Sequence, residues 1–383
     1  MRWAGTTLPL TQDYGPVSLS ETPRQGAARL GYGFLLDLGR EADHYRSLRM
    51  SQGYGTAGVG VLYDAGGDDV YEGEAAVQGG ADFGIGLLID DGGNDHYRAY
   101  VHTQGFAFVR GVGVLYDKSG DDNYYANTGD PAFGGDPIYL SVQIPGIAND
   151  NFAQGAGFGY NGSSDGVYMS GGLGMLRDGT GNDVYQSAVY SQSSGYWFGT
   201  GILVDGAGND AYDGRYYVQG STAHFALAVF IDEAGDDKYN QVFTPKATSI
   251  GIGHDFSTSW HIDGGGNDIY RGPLLSMGGG NANGLGVMLN IGGDDIYQSA
   301  SEPTLGVGNL SYEVDMDEAR RGVPTTGVFI DIGGHDQYGV TVATNVVRGD
   351  NVSWVNDREN PDAGVTTEHG VGVDRADGTI ALP

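Results

Sequence analysis

Short apolar runs separated by Gly- and Asp-rich turns recur along most of the chain. Val61-Leu62-Tyr63, Leu87-Leu88-Ile89, Ile202-Leu203-Val204 and Val229-Phe230-Ile231 are such runs. None extends into the 3.6-residue period of an amphipathic helix, so they read as strands. The repeating unit is Gly-x-apolar-Leu-apolar-Asp-x-x-Gly-x-Asp-x-Tyr, followed about seven residues later by Gln-Gly. Its first Asp falls at Asp64, Asp90, Asp117, Asp178, Asp205, Asp232, Asp263, Asn290 (an amide here) and Asp331. An earlier copy at Asp37 carries one extra residue before Asp43 and Tyr45.

Just before the first Asp, large apolar residues form a column: Leu36, Leu62, Leu88, Leu115, Leu176, Leu203, Phe230, Met288 and Phe329, interrupted by His261. A unit too small to bury its own face must stack on its neighbours. The expected fold is therefore all-β, a parallel β-solenoid (β-helix) with about 27 residues per coil and roughly 10–12 coils. At about 4.8 Å per coil the rod would be roughly 50–60 Å long. Residues 1–30 read as an N-terminal arm or cap and 31–345 as the solenoid. Insertions fall near 128–172, 243–259 and 299–326, and 346–383 is a C-terminal tail or cap. Glu313 to Arg321 is the one stretch of helical composition.

Composition narrows the function classes. Of 383 residues 70 are Gly, but with 12 Pro and no sustained Gly-X-Y triplet this is not collagen. The formal charge of −30 argues against nucleic acid or an anionic membrane as partner and favours bound cations or solubility. No apolar run is long enough for a membrane-spanning helix, and Met1-Arg-Trp-Ala-Gly shows no signal-peptide pattern. The absence of cysteine excludes disulfides and thiolate metal sites.

Much of the acidity sits in the turn. Asp first and Gly fourth suit a type I turn, in which the carboxylate accepts from nearby backbone amides. The second Asp and the Tyr two residues later point the same way on an extended segment, so the Tyr can enter the core edge. Stacked coils would align these carboxylates, and two charges about 4.8 Å apart repel by about 0.9 kcal/mol in water and about 3.5 kcal/mol at an effective dielectric of 20. Either backbone amides neutralise each carboxylate locally or cations lie between the coils. Hard oxygen ligands suit Ca²⁺. The ligand positions would be Asp64, Asp69, Asp90, Asp95, Asp117, Asp122, Asp178, Asp183, Asp205, Asp210, Asp232, Asp237, Asp263, Asp268, Asp295, Asp331 and Asp336.

The turns Asp205-Gly-Ala-Gly-Asn-Asp-Ala-Tyr and Asp263-Gly-Gly-Gly-Asn-Asp-Ile-Tyr resemble the calcium-binding nonapeptide of RTX-type repeat proteins, Gly-Gly-x-Gly-x-Asp-x-U-x. The resemblance implies that the second Asp of each coil is a Ca²⁺ ligand and that the residue two later enters the core. It covers about eight residues per coil. It departs from the family in recurring once per coil rather than every nine residues, and in carrying Tyr at the core position.

A second column precedes Gln-Gly. Read as strands, these segments align Gln52, Gln78, Gln104, Gln192 and Gln219 beside His102, Tyr190 and Tyr217, with Tyr100 and Arg215 in a third column. An aromatic and amide-rich face could stack on and hydrogen-bond a sugar, which makes Tyr100, His102, Gln104, Tyr190, Gln192, Arg215, Tyr217 and Gln219 candidate ligand contacts. Alternatively the Gln residues form a stabilising amide ladder, with each Tyr packing on its neighbours above and below. No nucleophile elbow, phosphate loop or His-Glu-x-x-His set is present.

The reading is a structural or adhesive solenoid, extracellular or on the cell surface, with a calcium-binding acidic edge. Its partner is a glycan, a matrix polymer or another copy of itself. The alternative is a carbohydrate-active β-helix enzyme using the Gln/Tyr/His face or the inserted loops, where His254, Asp255, Asp315, Asp317, Glu318 and Arg320 lie. No catalytic residue can be named from the sequence, and the reading leans away from an enzyme.

Overall fold

The computed structural model describes residues 22–162, 166–299, 301, 304–309, 320, 323–340, 346–360 and 365–378. It is a parallel β-solenoid of about ten turns. Each coil contributes one strand to each of three sheets, and successive coils pair in register. Sheet 1 carries the longest strands, from Tyr32–Leu36 through Val59–Asp64, Ile85–Asp90 and Val112–Asp117 to Leu285–Ile291 and Thr325–Ile332. After the Asp turn the chain enters sheet 2 (Val70–Glu72, His96–Ala99, Asn123–Ala126 and their equivalents). It then passes the Gln corner into the short strands of sheet 3, such as Gly55–Thr56 and Ala81–Asp82. Asp150–Ala153, Val189–Ser191, Tyr216–Val218 and Ala247–Ser249 form a fourth, four-stranded sheet across the Gln corner. Among the described residues the only helical element is the 3₁₀ turn Pro131–Phe133, and no helix is long and apolar enough to cross a membrane.

Two ladders fill the core. From sheet 1, Leu62, Leu88, Leu115, Leu176, Leu203, Phe230, His261, Met288 and Phe329 point inward and are fully buried. Leu35, not Leu36, continues this ladder. It pairs with Leu62, whereas Leu36 pairs with Tyr63 and is 63% exposed, because side chains alternate along a strand. From sheet 2, Tyr45, Tyr71, Tyr97, Tyr124, Tyr185, Tyr212, Tyr239, Tyr270, Tyr297 and Tyr338 stack face over face, Tyr97 on Tyr124 at 4.9 Å and Tyr185 on Tyr212 at 4.7 Å. The coil spacing sets the ring separation, so the offset stacking of aromatic rings comes with the architecture.

Glycine marks places where coils touch without room for a side chain. A Cβ on Gly208 would lie 1.4 Å from the Gly181 carbonyl oxygen. A Cβ on Gly113 would lie 2.0 Å from that of Phe106. These contacts account for the fourth-position Gly of the turn and for the Gly near the start of most sheet 1 runs, a register that Ala228 and Ser259 fill in two coils.

Near the C-terminal end Val365–Arg375 adds one more parallel strand to sheet 1. Ser353–Val355 and Arg358–Asn360 then pair with it antiparallel, ending the in-register stack. Trp354 is buried over Phe329 at 5.6 Å, and its Nε1 donates to the Leu305 carbonyl at 3.0 Å. Of the segment of helical composition, only Arg320 is among the described residues.

Candidate functional site

The acidic turns form a buried ladder. Each first-position Asp lies on the inner side of sheet 1, where the tyrosine of the preceding coil donates to its Oδ2: Tyr71 to Asp90 at 2.6 Å, Tyr97 to Asp117 at 2.6 Å, Tyr185 to Asp205 at 2.6 Å. Backbone amides two residues on occupy Oδ1 in several coils, Gly92 on Asp90 at 2.9 Å and Gly265 on Asp263 at 3.1 Å. Each second-position Asp reaches back one coil and accepts, through Oδ1, the backbone N–H of the equivalent Asp. Asp69 donates to Asp95, Asp95 to Asp122 and Asp183 to Asp210, all at 2.5–2.6 Å.

Half of the second carboxylate is left over. Oδ2 of Asp69, Asp95, Asp122, Asp183, Asp210, Asp237 and Asp336 is buried and meets no hydrogen-bond donor. It faces other carboxylates instead. Oxygens of Asp64, Asp69 and Asp90 lie within 4.8 Å of one another, as do those of Asp90, Asp95 and Asp117, and of Asp183, Asp205 and Asp210. Burial drives these acids toward the neutral form, and neighbouring carboxylates add to the effect. Asp295 and Asp331 are each pushed up to about 8 and Asp336 to about 7, burial being the largest cause.

One coil supplies an internal control. Where the first position is Asn290, its Nδ2 donates to Asp295 Oδ2 at 2.7 Å. Asp268, one coil earlier, also has its Oδ2 engaged, because Tyr270 has turned back to its own coil's Asp263 at 2.5 Å and Asp268 at 3.3 Å. The ladder therefore calls for a positive partner, a proton or a cation, at the coils whose second-position Oδ2 meets no donor.

A second Asx ladder runs outside the first. Asn94 N–H donates to Asp68 Oδ1, Asp121 to Asn94, Asn182 to Asp121 and Asn209 to Asn182, at 2.8–3.0 Å. The inner ladder bonds in the opposite sense along the rod. The sequence carries this signal as Asp or Asn immediately before the second Asp at Asp68, Asn94, Asp121, Asn182, Asn209, Asp236, Asn267 and Asp294, a position that the repeat formula leaves open.

The Gln column is inside the protein. Gln52, Gln78, Gln104, Gln192 and Gln219 are fully buried, and each Nε2 donates to the carbonyl of its own coil's ladder tyrosine, Gln78 to Tyr71 at 2.9 Å and Gln104 to Tyr97 at 3.1 Å. These glutamines have φ of 52–55°, and His102, Tyr190 and Tyr217 have φ of 50–57°. Two left-handed residues in quick succession bend the chain into a corner, so these side chains do not line one flat strand face. Tyr100, Tyr190 and Tyr217 are also buried. Arg215 pairs with Asp130 at 2.6 Å and covers the Phe243 ring at 4.6 Å, clasping the first insertion to the second. His102 stacks on Phe106 at 4.4 Å and, with Arg49, Tyr139, Asp150 and Phe152, lines a cleft of about 570 Å³ beside the first insertion.

A partly open cluster forms farther along, where three coils meet. His224 Nδ1 and Asp255 Oδ2 are 2.6 Å apart, and Arg320 pairs with the other Asp255 oxygen at 2.5 Å. Although burial opposes it, the bonds from His224 and Arg320 hold Asp255 below the usual carboxylate range. Asn309 Nδ2 donates to Asn281 Oδ1 at 2.8 Å, which orients the Asn281 amide to donate to His254 Nδ1 at 2.6 Å. His254 is thereby fixed as the neutral Nε2–H tautomer, in keeping with burial lowering it to about 4. Trp197 stacks on His224 at 4.1 Å, and Tyr196 meets it edge-on at 5.3 Å. Comparison of the chain with protein-family models, with curated proteins and with solved structures finds no match.

Proposed function

We propose that the chain is a structural or adhesive solenoid acting outside the cell, with its acidic core edge charge-compensated by divalent cations, calcium foremost. The observation that carries this reading is the row of buried Oδ2 atoms without a donor, which the amide of Asn290 satisfies in its own coil. An all-oxygen donor set suits a hard cation. The likeness of the turns to the RTX nonapeptide supports the same ion, and millimolar extracellular calcium matches sites of modest affinity. Asp64, Asp69 and Asp90, and their equivalents along the rod, would hold the ions.

The test is the metal content of the purified protein, followed by thermal melting in EDTA and after Ca²⁺ is restored. Each independent site adds about 2.7 kcal/mol at a hundredfold excess over its dissociation constant, so several sites move the melt by many degrees. Metal-free protein that melts identically with and without Ca²⁺ would leave protons as the compensating charge.

A second reading rests on the cluster at His224. An Asp-oriented imidazole beside Trp197 and Tyr196 offers a base and an aromatic platform, two parts that a carbohydrate-active site can use. Polysaccharide depolymerisation that disappears in His224→Ala, with the fold intact, would put this reading first.

A further inference from the structure

The outer surface of sheet 1 is apolar along ten successive coils and ends at Val365–Arg375, where His369 pairs with outward Thr326. Ten strands, from Tyr32–Leu36 to Thr325–Ile332, each present three side chains outward, thirty positions in all. Arg177 is the one charged residue among them, and three are Thr. The rest are Val, Ile, Leu, Met, Phe, Tyr or Trp. Along the middle row Phe34 is 65% exposed and Trp260 39%, and beside it Ile85 is 41% exposed. A one-sided sheet in water ordinarily alternates apolar inside with polar outside, and contiguous apolar surface on this scale marks an interaction site.

We propose that this face is the interface between two copies of the chain, packed sheet against sheet about a two-fold axis. Its size fits. Ten strands about 4.8 Å apart, each about 15 Å long across its outward residues, give about 700 Å² per copy, hence about 1,400 Å² in a pair. That lies within the range of about 1,200–2,000 Å² for stable protein interfaces. Its shape fits as well. Rows such as Val61, Leu87 and Val114 repeat in register from coil to coil. A second copy carries the same row spacing, so side chains can interdigitate at the roughly 10 Å separation of packed sheets. A two-fold pairing closes on itself and leaves no apolar face for a third copy. Charge narrows the choice of occupant. With −30 per chain an anionic lipid surface is repelled; a second copy is as acidic overall, but it brings to the contact a face whose one charged outward side chain over these ten strands is Arg177.

Sedimentation velocity of the full chain between about 1 and 100 µM tests this. The expected species has twice the 40.2 kDa of the monomer. Val114→Lys and Val229→Lys place charges in the middle of the face without touching the inner ladders. Each is expected to weaken association at least a hundredfold while the far-ultraviolet circular dichroism stays unchanged. If one variant fails to fold, the other carries the test. A wild-type chain that stays monomeric at the highest concentration overturns the proposal. So does a dimer that survives both substitutions, or an open-ended polymer in place of a closed pair.

Discussion

At Asn290 the amide donates to Asp295 Oδ2, the atom that in the coils of Asp95 and Asp210 meets no donor. One substitution in each direction makes use of this difference. Asp232→Asn places an amide opposite Asp237, whose Oδ2 lacks a partner. In EDTA at pH 8 this variant is expected to melt higher than wild type, by the roughly 1–3 kcal/mol that an unmet buried polar group costs, and to bind one fewer Ca²⁺. Asn290→Asp is expected to melt lower in EDTA and to recover when Ca²⁺ is added. Calorimetry with and without chelator reads both, and identical shifts in the two media would detach the ladder from any cation. Glycine is as demanding as the acids. In Gly208→Ala the new methyl would meet the Gly181 oxygen at 1.4 Å, a backbone atom with nowhere to move unless the coils part. Loss of several kcal/mol, or no soluble protein, is expected from that change, placing it among the most severe point substitutions.

The ladders are the elements that the chain repeats, and their tolerance differs by position. His261 is fully buried in the apolar ladder, stacked on Phe230 at 4.6 Å, with the Gln219 backbone beside its ring. Burial lowers its pKa to about 3, so the folded state keeps it neutral while the unfolded chain takes up a proton below about 6.5. The linkage costs stability as pH falls through that window. His261→Leu is expected to raise the melting temperature and flatten the acid limb between pH 4 and 6.5, which denaturant melts at two pH values would show. These ladders were legible from the sequence because a side chain on a strand takes one of two faces. Leu62 and Tyr71 recur at the same register, and only in the first coil did the assignment slip, to Leu36 from Leu35. The Gln corner was harder to read. The alternation of Tyr100-Val-His-Thr-Gln looks like a strand, yet φ of 54° at His102 and 53° at Gln104 turns it into a corner, and left-handed non-glycine residues leave no mark in composition. The cluster at His224 was visible only as separate parts, since Trp197, His224, His254 and Arg320 come together through stacking of distant coils. The apolar outer face had a trace in the unbroken run Val61-Leu62-Tyr63, which reads as a strand covered on both sides.

Over the whole rod the acidic ladder makes stability a function of pH and cation together. In the folded state Asp295 and Asp331 titrate at about 8 against an ordinary 3.8, and burial shifts their counterparts along the ladder in the same direction. Between those values the folded chain holds protons that the unfolded chain has released, so stability falls as pH rises, by roughly 1.4 kcal/mol per pH unit for each such group. It is fully present below about 3.8 and lost on passing through about 8. The buried His261 works in the opposite sense below about 6.5, but it is one group against many. Metal-free protein is therefore expected to lose stability steadily from pH 5 to pH 9. Calcium competes with protons for the same oxygens, so with the ion in excess the slope should reverse or vanish, and adding Ca²⁺ at pH 7 to unbuffered protein should release protons. Melting curves across this pH range, with EDTA and with Ca²⁺, give the two slopes, and a pH-stat titration counts the protons. Equal slopes in both media with no proton release would make the ladder a stack of shared protons alone. A stability that rises with pH in EDTA would mean that the buried carboxylates are ionised in the metal-free fold.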